Sequence, residues 1–508
     1  MFLMRQTLIV MSRHIEYDVK NEVYNHYQRL DMGFFKTHST GDMMNRITED
    51  VSRVRMYTGP AVMYTVNLVA LITLCLVNML RKDFGLTLVV VAPLPLLAIT
   101  IYIVNTIIHK KSEKVQALLS DLTTNAQESY SGIRVIKSFV QEKAMLNFFR
   151  KNSEAYRKNA VSLAKVEAIY FPSMTLLVGL STLLTIFIGS KMALDNPDKV
   201  GIIVEFVIYI NMLMFPVSAI GSVASMVQRA SASQKRINEF LDTKPLVTDP
   251  AKDKSSETLH GAIKFDHVSF TYPHTGIKAL NNLSFEVKPG EKVMILGKTG
   301  SGKSTIAQLL LRFYDPDKGA VFIGDKNIRH ASLRVLRNYI SYVPQDVFLF
   351  SDTVSNNISF GLPDTNANVD VRKYAAYAAI DNEITVLDKG YETMVGERGV
   401  TLSGGQKQRV SIARALLKES PVMLFDDCLS AVDAKTEHAI VDNLNTFLEN
   451  KTTIIITHRI FLSLKFDKII ILLNGEIAES GTHAELINRN GLYAELYNLQ
   501  LAEETTAV

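Results

Sequence analysis

A glycine-rich stretch near the middle of the chain, K-V-M-I-L-G-K-T-G-S-G-K-S-T from Lys292 to Thr305, could bind the phosphates of a nucleotide. It places an apolar strand, a flexible loop and an apolar helix in the order that a P-loop requires. The loop glycines allow a tight turn whose backbone N–H groups face phosphate oxygens, and the following helix N-terminus adds a favourable field. In such a loop Lys303 reaches the β- and γ-phosphates of ATP, and Ser304 is a ligand of Mg²⁺. The residues predicted to bind the nucleotide are Gly297, Lys298, Thr299, Gly300, Ser301, Gly302, Lys303, Ser304 and Thr305.

Two adjacent carboxylates end a second apolar stretch, V-M-L-F-D-D from Val422 to Asp427. A buried strand here would deliver Asp426 to the coordination shell of the metal and place Asp427 as a catalytic base. An Asp-Asp pair at the end of a strand is also a common solvated turn. The P-loop upstream favours the catalytic interpretation, because ATP-hydrolysing folds use both motifs together.

The length and composition of the chain indicate several domains and a membrane segment. The chain has 508 residues, of which 47% are hydrophobic, and this exceeds what one core usually supports. Its formal net charge of +4 is too small to indicate a nucleic-acid partner. The only cysteines, Cys75 and Cys428, exclude a disulfide framework.

Four long uncharged runs predict helices that cross a membrane, because each reaches the roughly 20 residues that a spanning helix needs. Buried helices of a soluble protein give the same pattern, but four such runs in one chain disfavour that alternative. The turn at 81–83 is short, whereas the segments 109–165 and after Arg229 are long and rich in Lys and Arg, which places those two segments in the cytoplasm. The predicted spans are Met56–Leu80, Phe84–Ile108, Ala168–Ser190 and Phe206–Gln228.

A polar linker that contains proline separates the membrane part from the ATP-binding part. It covers residues 242–258, so we predict a transmembrane domain over 1–241 and a nucleotide-binding domain over 259–508. Short strands at Ala262–Phe265 and Val268–Tyr272, helical patterns further on and an Asn474-Gly475 hairpin turn predict a mixed α/β fold for the second domain.

The stretch L-S-G-G-Q that follows V-G-E-R-G-V-T is similar to the signature of the ABC ATPases, and with the P-loop it extends the resemblance over nearly the whole chain. Further motifs of that family match in order. They are the adenine-stacking aromatic Tyr272 in F-T-Y-P, the Q-loop Gln345 in Y-V-P-Q-D, the D-loop Asp433 in S-A-V-D and the switch His458 in I-T-H-R. Taken singly, a lone Tyr or His would more often be a packing residue. The resemblance implies Mg²⁺ ligands at Ser304, Gln345 and Asp426, and catalytic roles for Asp427, Gln345 and His458.

The membrane half resembles the exporter type of ABC transporter, whose half-transporters have six spans with long cytoplasmic extensions. The segments Phe34–Val51 and Ser129–Phe139 resemble the two coupling segments of that type, although both could also be ordinary amphipathic helices. Residues 1–12 look like the end of a helix, so we expect that one full helix and part of another are lacking ahead of Met1. The expected fold is an α-helical transmembrane bundle followed by an α/β P-loop ATPase domain.

In this family two ATP-binding domains close head to tail, which implies a second half-transporter as partner. Each ATP then lies between the P-loop of one domain and the signature of the other. The signature residues of this chain would therefore complete the site of the partner, and they are Leu402, Ser403, Gly404, Gly405 and Gln406. The resemblance also implies a multi-pass protein of the cell membrane whose ATP-binding domain is cytoplasmic.

The carboxylate at position 427 departs from the family, which has a Glu there. Asp is one methylene shorter, and a misplacement of about 1 Å in the reacting geometry can reduce a rate about 10²-fold. We therefore expect an ATP site that binds nucleotide but hydrolyses it slowly, as in one subunit of heterodimeric multidrug exporters. Alternatives are a homodimer in which Asp427 is a competent base, exporting lipid or peptide, and a mainly regulatory subunit that acts as an ATP latch. The uncharged spans favour a lipophilic or amphipathic cargo and contact with the lipid bilayer, and no feature indicates nucleic acid.

Overall fold

Long helices form the first half of the chain, and short helices alternate with strands in the second half. A computed structural model describes residues 2–195, 200–249, 258–362, 369–396, 399, 401–429, 432, 434–461 and 464–506. The chain divides into two compact units. The first contains Met1–Gln28 and Thr40–Thr243, and the second contains Arg29–Ser39 and Lys244–Val508.

Helices dominate the first unit because its sequence is apolar over long runs, and the interior prolines Pro60, Pro172 and Pro216 do not end the helical segments that contain them. Three π-helical segments, Arg5–Ile9, Arg46–Asp50 and Tyr57–Ala61, interrupt the α-helices. The α-helices are α1 (Phe2–Met4), α2 (Val10–Arg29), α3 (Met32–Thr37, in the second unit), α4 (Thr40–Asn45), α5 (Val51–Met56), α6 (Val62–Lys82), α7 (Phe84–Val91), α8 (Pro93–Ser131), α9 (Ile133–Ser138), α10 (Glu142–Asp195) and α11 (Val200–Leu241).

All four predicted spans lie in helices. Among the described residues, two helical stretches are long and apolar enough to cross a membrane, Thr40–Lys82 and Val200–Leu241, and they contain the first and fourth predicted spans. Within α10, a shorter apolar stretch at Val178–Leu194 overlaps the third predicted span and extends past its end at Ser190. The second predicted span is divided between α7 and α8. Some side chains of the second and third predicted spans lie outside the described part of the structure, so the role of these two segments as membrane spans stays a prediction.

An ion pair joins Asp50, which precedes the first predicted span, to Arg236, which follows the fourth predicted span on α11. The Nε of Arg236 donates to Oδ2 of Asp50 at 3.0 Å, and its Nη2 donates to Oδ1 of Asp50 and to Ser233 Oγ. The Asp50 side chain is 0% exposed, whereas Arg236 is 43% exposed. Burial alone would raise the pKa of Asp50, but hydrogen bonds from Arg236 and Ser233 outweigh it and hold that pKa below its ordinary value.

Replacing Arg236 by Ala is expected to lower the free energy of unfolding by about 2 kcal/mol, because Asp50 would stay buried without its cation. The loss is below the roughly 3–5 kcal/mol of fully buried pairs, since solvent screens the half-exposed guanidinium. A lowered folded pKa means that the pair stabilises the fold above the unfolded pKa, and this contribution is lost as pH falls through the folded pKa. Thermal unfolding of the full chain in lipid nanodiscs, followed by circular dichroism from pH 7 downward, measures both effects.

The matched control for this experiment is Lys235→Ala. Lys235 is the neighbour of Arg236 on α11, and its pair with Glu239 is solvent-exposed and long, at 3.8 Å. We expect this variant to unfold at the wild-type temperature. An equal loss of stability in both variants would contradict a special role for the buried pair, as would a loss that does not shrink in acid.

The second unit includes a short piece of the first half of the chain. Asp31 caps α3 by accepting from the backbone of Gly33 at 2.8 Å and Phe34 at 3.3 Å, and its other oxygen accepts from the backbone N–H of Leu246 at 2.5 Å. This contact explains why Arg29–Ser39 groups with Lys244–Val508, although we predicted a first domain over 1–241. Helix α11 ends at Leu241, next to the predicted linker, of which residues 250–257 lie outside the described part.

Two sheets form the framework of the second unit. The described strands are β1 (Ile263–Thr271), β2 (Lys278–Val287), β3 (Lys292–Gly297), β4 (Lys318–Ile323), β5 (Lys326–Asn327), β6 (Ile340–Val343), β7 (Val422–Asp426), β8 (Thr452–Thr457), β9 (Lys468–Leu473) and β10 (Glu476–Gly481). In the described part of the chain, four strands pair antiparallel in the order β2-β1-β4-β5, and six strands form a second sheet in the order β10-β9-β3-β8-β7-β6. The second sheet is parallel except for the antiparallel pair of β9 and β10.

The two strands predicted at the start of this unit are one strand, β1. A bulge between Phe265 and Val268 accommodates His267, which has a φ of 50°. The break in alternation that suggested two strands is therefore a register shift within a single strand. The predicted Asn474-Gly475 hairpin is confirmed. It joins β9 and β10, and both turn residues have positive φ, as a two-residue hairpin turn requires.

Helices surround the sheets and cover their apolar faces. Strands β3, β7 and β8 are buried along almost their whole length, which matches their continuous apolar sequences. Short 3₁₀ segments occur at Ile328–His330 and Gly390–Glu392. The helices are α12 (Lys303–Leu310), α13 (Leu333–Tyr339), α14 (Val354–Ser359), α15 (Val371–Tyr377), α16 (Asp381–Thr385), α17 (Gly404–Leu417), α18 (Ala434–Phe447), α19 (His483–Asn488) and α20 (Leu492–Thr506).

The parallel sheet brings the chemistry-bearing residues to one edge. Strands β3, β6, β7 and β8 run in the same direction, so their carboxyl ends meet. The P-loop follows β3, Gln345 follows β6, Asp426 ends β7 and His458 follows β8. This edge is therefore the candidate site.

Candidate functional site

The P-loop follows the end of β3 and contains one position, Gly302, whose backbone conformation and surroundings leave room only for glycine. Gly302 has a φ of 97°, and a Cβ there would lie 2.4 Å from the backbone oxygen of Ala279. Gly300 also has positive φ, at 82°, although a Cβ there would meet open space. Helix α12 begins at Lys303, directly after this turn. The loop thus leaves room for a phosphate group to approach the helix N-terminus closely.

Lys303 folds back over the loop. Its Nζ donates to the backbone oxygens of Gly297 at 2.7 Å and Lys298 at 3.0 Å. Burial lowers the pKa of Lys303, while the neighbouring carboxylates Asp427 and Asp426 oppose that change. An ammonium group that is desolvated and held by neutral carbonyls is suited to exchange them for phosphate oxygens.

Asp426, at 2% exposed, is more buried than its neighbour Asp427, whose side chain is 15% exposed. It accepts from Ser304 Oγ at 3.0 Å and from the hydroxyl of Tyr342 at 3.4 Å. Burial raises the pKa of Asp426, and the Ser304 and Tyr342 hydrogen bonds counteract it. The structure therefore brings two of the predicted Mg²⁺ ligands, Ser304 and Asp426, into direct contact.

These ligands fit Mg²⁺ as a partner of bound phosphates. Among the residues that the structure describes, no group of three or more His, Cys, Asp or Glu side chains could hold a metal ion alone. Mg²⁺ keeps several waters and is usually bound by one or two carboxylates together with substrate phosphates. The hydroxyl of Ser304 and the carboxylate of Asp426 form an all-oxygen donor set of that kind.

Asp427 is held from three directions. It has a φ of 47°, and its backbone N–H donates to the oxygen of Ile456 at 2.8 Å, which fixes the turn after β7. Its Oδ1 lies 2.8 Å from Nδ1 of His458, and its Oδ2 accepts from Nε2 of Gln345 at 3.2 Å. The structure thus joins the three predicted catalytic residues in one cluster, with a hydrogen-bonding partner on each carboxylate oxygen.

Tyr272 is attached to the P-loop helix. Its hydroxyl lies 3.0 Å from Oγ1 of Thr305 and donates to Oε1 of Gln308 at 3.0 Å. Its ring contacts the rings of Phe270 and Tyr314 in edge-on geometry. Burial raises the pKa of Tyr272, so the phenol stays neutral. The predicted stacking of this ring on adenine stays a prediction.

The signature residues form the N-terminus of α17. Ser403 caps the helix and forms a reciprocal capping box with Gln406, in which Ser403 Oγ accepts from the Gln406 N–H and Gln406 Oε1 accepts from the Ser403 N–H. Leu402 is buried in the core, whereas Gly404 and Gly405 open the first turn. Helix α17 packs against α14, α15 and β6. The predicted D-loop residue Asp433 lies outside the described residues.

Three residues of this region were not predicted from the sequence. Tyr342 donates to Asp426, Gln308 accepts from Tyr272, and Glu383 contacts Gln406 and Arg409. Only Tyr342 has a sequence signal, because it stands on a short strand just before Gln345. The partners of Gln308 and Glu383 follow from the fold alone.

Two family models match the chain. Residues 1–217 match the model described as the ABC transporter transmembrane region, and residues 280–430 match the model described as ABC transporter. A probable multidrug resistance ABC transporter ATP-binding/permease protein of Bacillus subtilis, YheI, is 39% identical over 95% of this chain and 82% of that protein. The multidrug resistance-like ATP-binding protein MdlA of Escherichia coli is 35% identical over 99% of this chain and 85% of its own length.

Further similarity extends to a lipid transporter and to a solved structure. The ATP-dependent lipid A-core flippase of Pseudomonas putida is 33% identical over 100% of this chain and 83% of its own length. The structure of a bacterial Atm1-family ABC exporter with ATP bound superposes with a TM-score of 0.81 at 30% identity, covering 96% of this chain and 86% of that one. These matches confirm the predicted order of a helical membrane domain followed by an α/β P-loop domain.

Proposed function

Because this chain belongs to the exporter-type ABC transporters, membrane proteins in which an ATPase domain drives transport, we propose that it is one half of a heterodimeric exporter. In this proposal its own ATP site binds nucleotide and hydrolyses it slowly, and the partner carries the site of rapid hydrolysis. The exported compounds are lipophilic or amphipathic. The observation that carries the proposal is the position of Asp427.

The short carboxylate is the reason for slow hydrolysis. A catalytic base must hold the attacking water in line with the γ-phosphorus, so its reach determines the rate. In the structure both oxygens of Asp427 are engaged, by His458 at 2.8 Å and by Gln345 at 3.2 Å. Asp427 therefore ties the loops after β6 and β8 together, and its side chain lacks the methylene that would extend it towards the nucleotide.

Nucleotide binding is assigned to the P-loop and its neighbours. The backbone N–H groups around Gly300 and Gly302 would cradle the phosphates, and Lys303 would exchange its carbonyl partners for the β- and γ-phosphate oxygens. Ser304 and Asp426 would hold Mg²⁺, which when bound neutralises charge on the phosphates. Thr305 and Gln308 hold the Tyr272 hydroxyl, and in this proposal the Tyr272 ring would stack on the adenine.

Dimer closure makes each site a shared one. Ser403 caps a helix whose first two residues, Gly404 and Gly405, have no side chains, and such an N-terminus suits contact with a phosphate bound by the other subunit. In the proposed heterodimer this surface completes the site of the partner subunit. A slow site of its own can then hold ATP through several turnovers of the partner and keep the two domains together.

The proposed cargo follows from the uncharged helices and from the named relatives. YheI and MdlA are named for multidrug resistance, and the Pseudomonas putida relative is named as a lipid A-core flippase. Amphipathic compounds share an apolar body with lipids, and such a body can enter from the bilayer. Export of a lipid by a homodimer is the second candidate, favoured by the flippase relative.

Co-expression with a candidate partner half-transporter, one that carries Glu at the position matching Asp427, tests this proposal. We expect a stable heterodimer that transports a lipophilic fluorescent dye into inverted vesicles on addition of ATP. Trapping of a photoreactive ATP analogue should leave mainly triphosphate on this chain and mainly diphosphate on the partner. Formation of homodimers only, or equal turnover on both halves, would contradict the heterodimer with a slow site.

A further inference from the structure

The first turn of the signature helix α17 is fixed by a residue from another helix. Glu383, on α16, accepts from Nε2 of Gln406 at 2.8 Å through one carboxylate oxygen, and from Nη1 of Arg409 at 2.5 Å through the other. Gln406 and Arg409 lie three residues apart on α17, so they share one face of the helix. One carboxylate thus bridges two successive positions of that face.

Glu383 determines which way the amide of Gln406 points. The Ser403 N–H needs an acceptor, and Gln406 offers its Oε1 at 2.9 Å. The NH₂ group then points the other way and needs an acceptor of its own, which an ionised carboxylate provides because it can only accept. Without Glu383 the amide could rotate and turn its NH₂ group towards the Ser403 N–H. Both groups are donors, so the hydrogen bond of the capping box would be lost.

Arg409 connects the same carboxylate to the backbone of the signature. Its side chain is 7% exposed, and it donates to the backbone oxygens of Ala379 at 2.7 Å and Gly405 at 3.3 Å. A buried guanidinium requires an anion nearby. Glu383, which is 42% exposed, meets that requirement from the solvent side. The position of Gly405 therefore depends on the pair of Glu383 and Arg409.

We propose that Glu383 is a positioning residue that holds the signature of this chain in the geometry that completes the partner subunit's ATP site. The inference rests on the proposed function, in which Ser403 and the adjacent glycines contact ATP bound to the other half. Glu383 acts on the signature through its hydrogen bonds with Gln406 and Arg409. Its removal should therefore change turnover at the shared site and leave nucleotide binding by the P-loop of this chain unchanged.

The test compares Glu383→Ala, Glu383→Gln and Glu383→Asp in the full chain reconstituted in lipid nanodiscs, each in the wild-type and the Asp427→Glu background. We expect Glu383→Ala to lower kcat for ATP about tenfold, less than the about 10²-fold of a full 1 Å displacement, with an unchanged Kd for fluorescent ATP. Glu383→Asp keeps both acceptor oxygens and the charge and should restore much of the rate. Glu383→Gln keeps one acceptor, turns an NH₂ group towards a donor and removes the anion beside Arg409, so it should restore little. Hydrogen exchange of residues 402–407 should accelerate in Glu383→Ala, whether or not turnover is measurable.

The control is Glu449→Ala, which removes an exposed carboxylate beyond the end of α18. Unchanged hydrogen exchange at residues 402–407 in Glu383→Ala would overturn the positioning role. A weaker ATP affinity together with a lower melting temperature would also overturn it, because that result indicates a general loss of stability. Failure of the proposed function appears differently, because the wild-type and Asp427→Glu backgrounds would then turn over alike. In that case the effect of Glu383→Ala on ATP turnover is measured in the wild-type background.

Discussion

Replacing Asp427 by Glu is expected to raise steady-state ATP turnover by the chain about a hundredfold, on the scale by which a positioned base accelerates a reaction. The added methylene lets the carboxylate extend past the contacts that now hold it, His458 at 2.8 Å and Gln345 at 3.2 Å. It can then orient a water in line with the γ-phosphorus. The measurement is phosphate release by the full chain in lipid nanodiscs at saturating ATP.

The control for Asp427→Glu is Asp388→Glu, which adds the same methylene at an exposed position after α16. We expect this variant to turn over ATP at the wild-type rate. If Asp427→Glu and wild type have equal rates, Asp427 is a competent base. A homodimeric exporter would then be the better interpretation, and the slow-site proposal would be wrong.

Replacing Lys303 by Ala is expected to reduce turnover by about 10² to 10³-fold and to weaken ATP binding at least about tenfold. In the proposed function this ammonium group binds the β- and γ-phosphates, in exchange for its present contacts with the backbone carbonyls of Gly297 and Lys298. Turnover is measured in the Asp427→Glu background, where the rate is high. Binding is measured with a fluorescent ATP analogue in the wild-type background.

Lys318→Ala is the control for Lys303→Ala, because Lys318 is an exposed lysine at the start of β4 in the same unit. It should leave both ATP binding and turnover unchanged. ATP affinity in Lys303→Ala equal to that of wild type would show that the phosphates are bound elsewhere. The assignment of the P-loop as the nucleotide site would then be withdrawn.

Motifs formed by one continuous stretch of sequence could be predicted, because neighbouring residues determine their local conformation. The stretch from Lys292 to Thr305 folds as β3, a loop and the start of α12, as its apolar strand and glycines required. The strand that ends at Asp426 and the helix that opens after Ser403 follow equally from local pattern. Prediction was less reliable at β1, where a bulge altered the alternation without ending the strand.

Local sequence patterns predicted the groups that could do chemistry: a phosphate-binding loop, paired carboxylates, a signature and long apolar helices. Which of these groups touch depends on the fold. It joined Gln345 and His458 to Asp427, placed Tyr342 on Asp426, and brought Glu383 to the signature helix. The physical reason is that a periodic pattern reports which face of an element is buried, whereas contacts between loops depend on strand order. Gln345 and Asp427 are 82 residues apart in sequence, and they meet because β6 and β7 are neighbours in a parallel sheet.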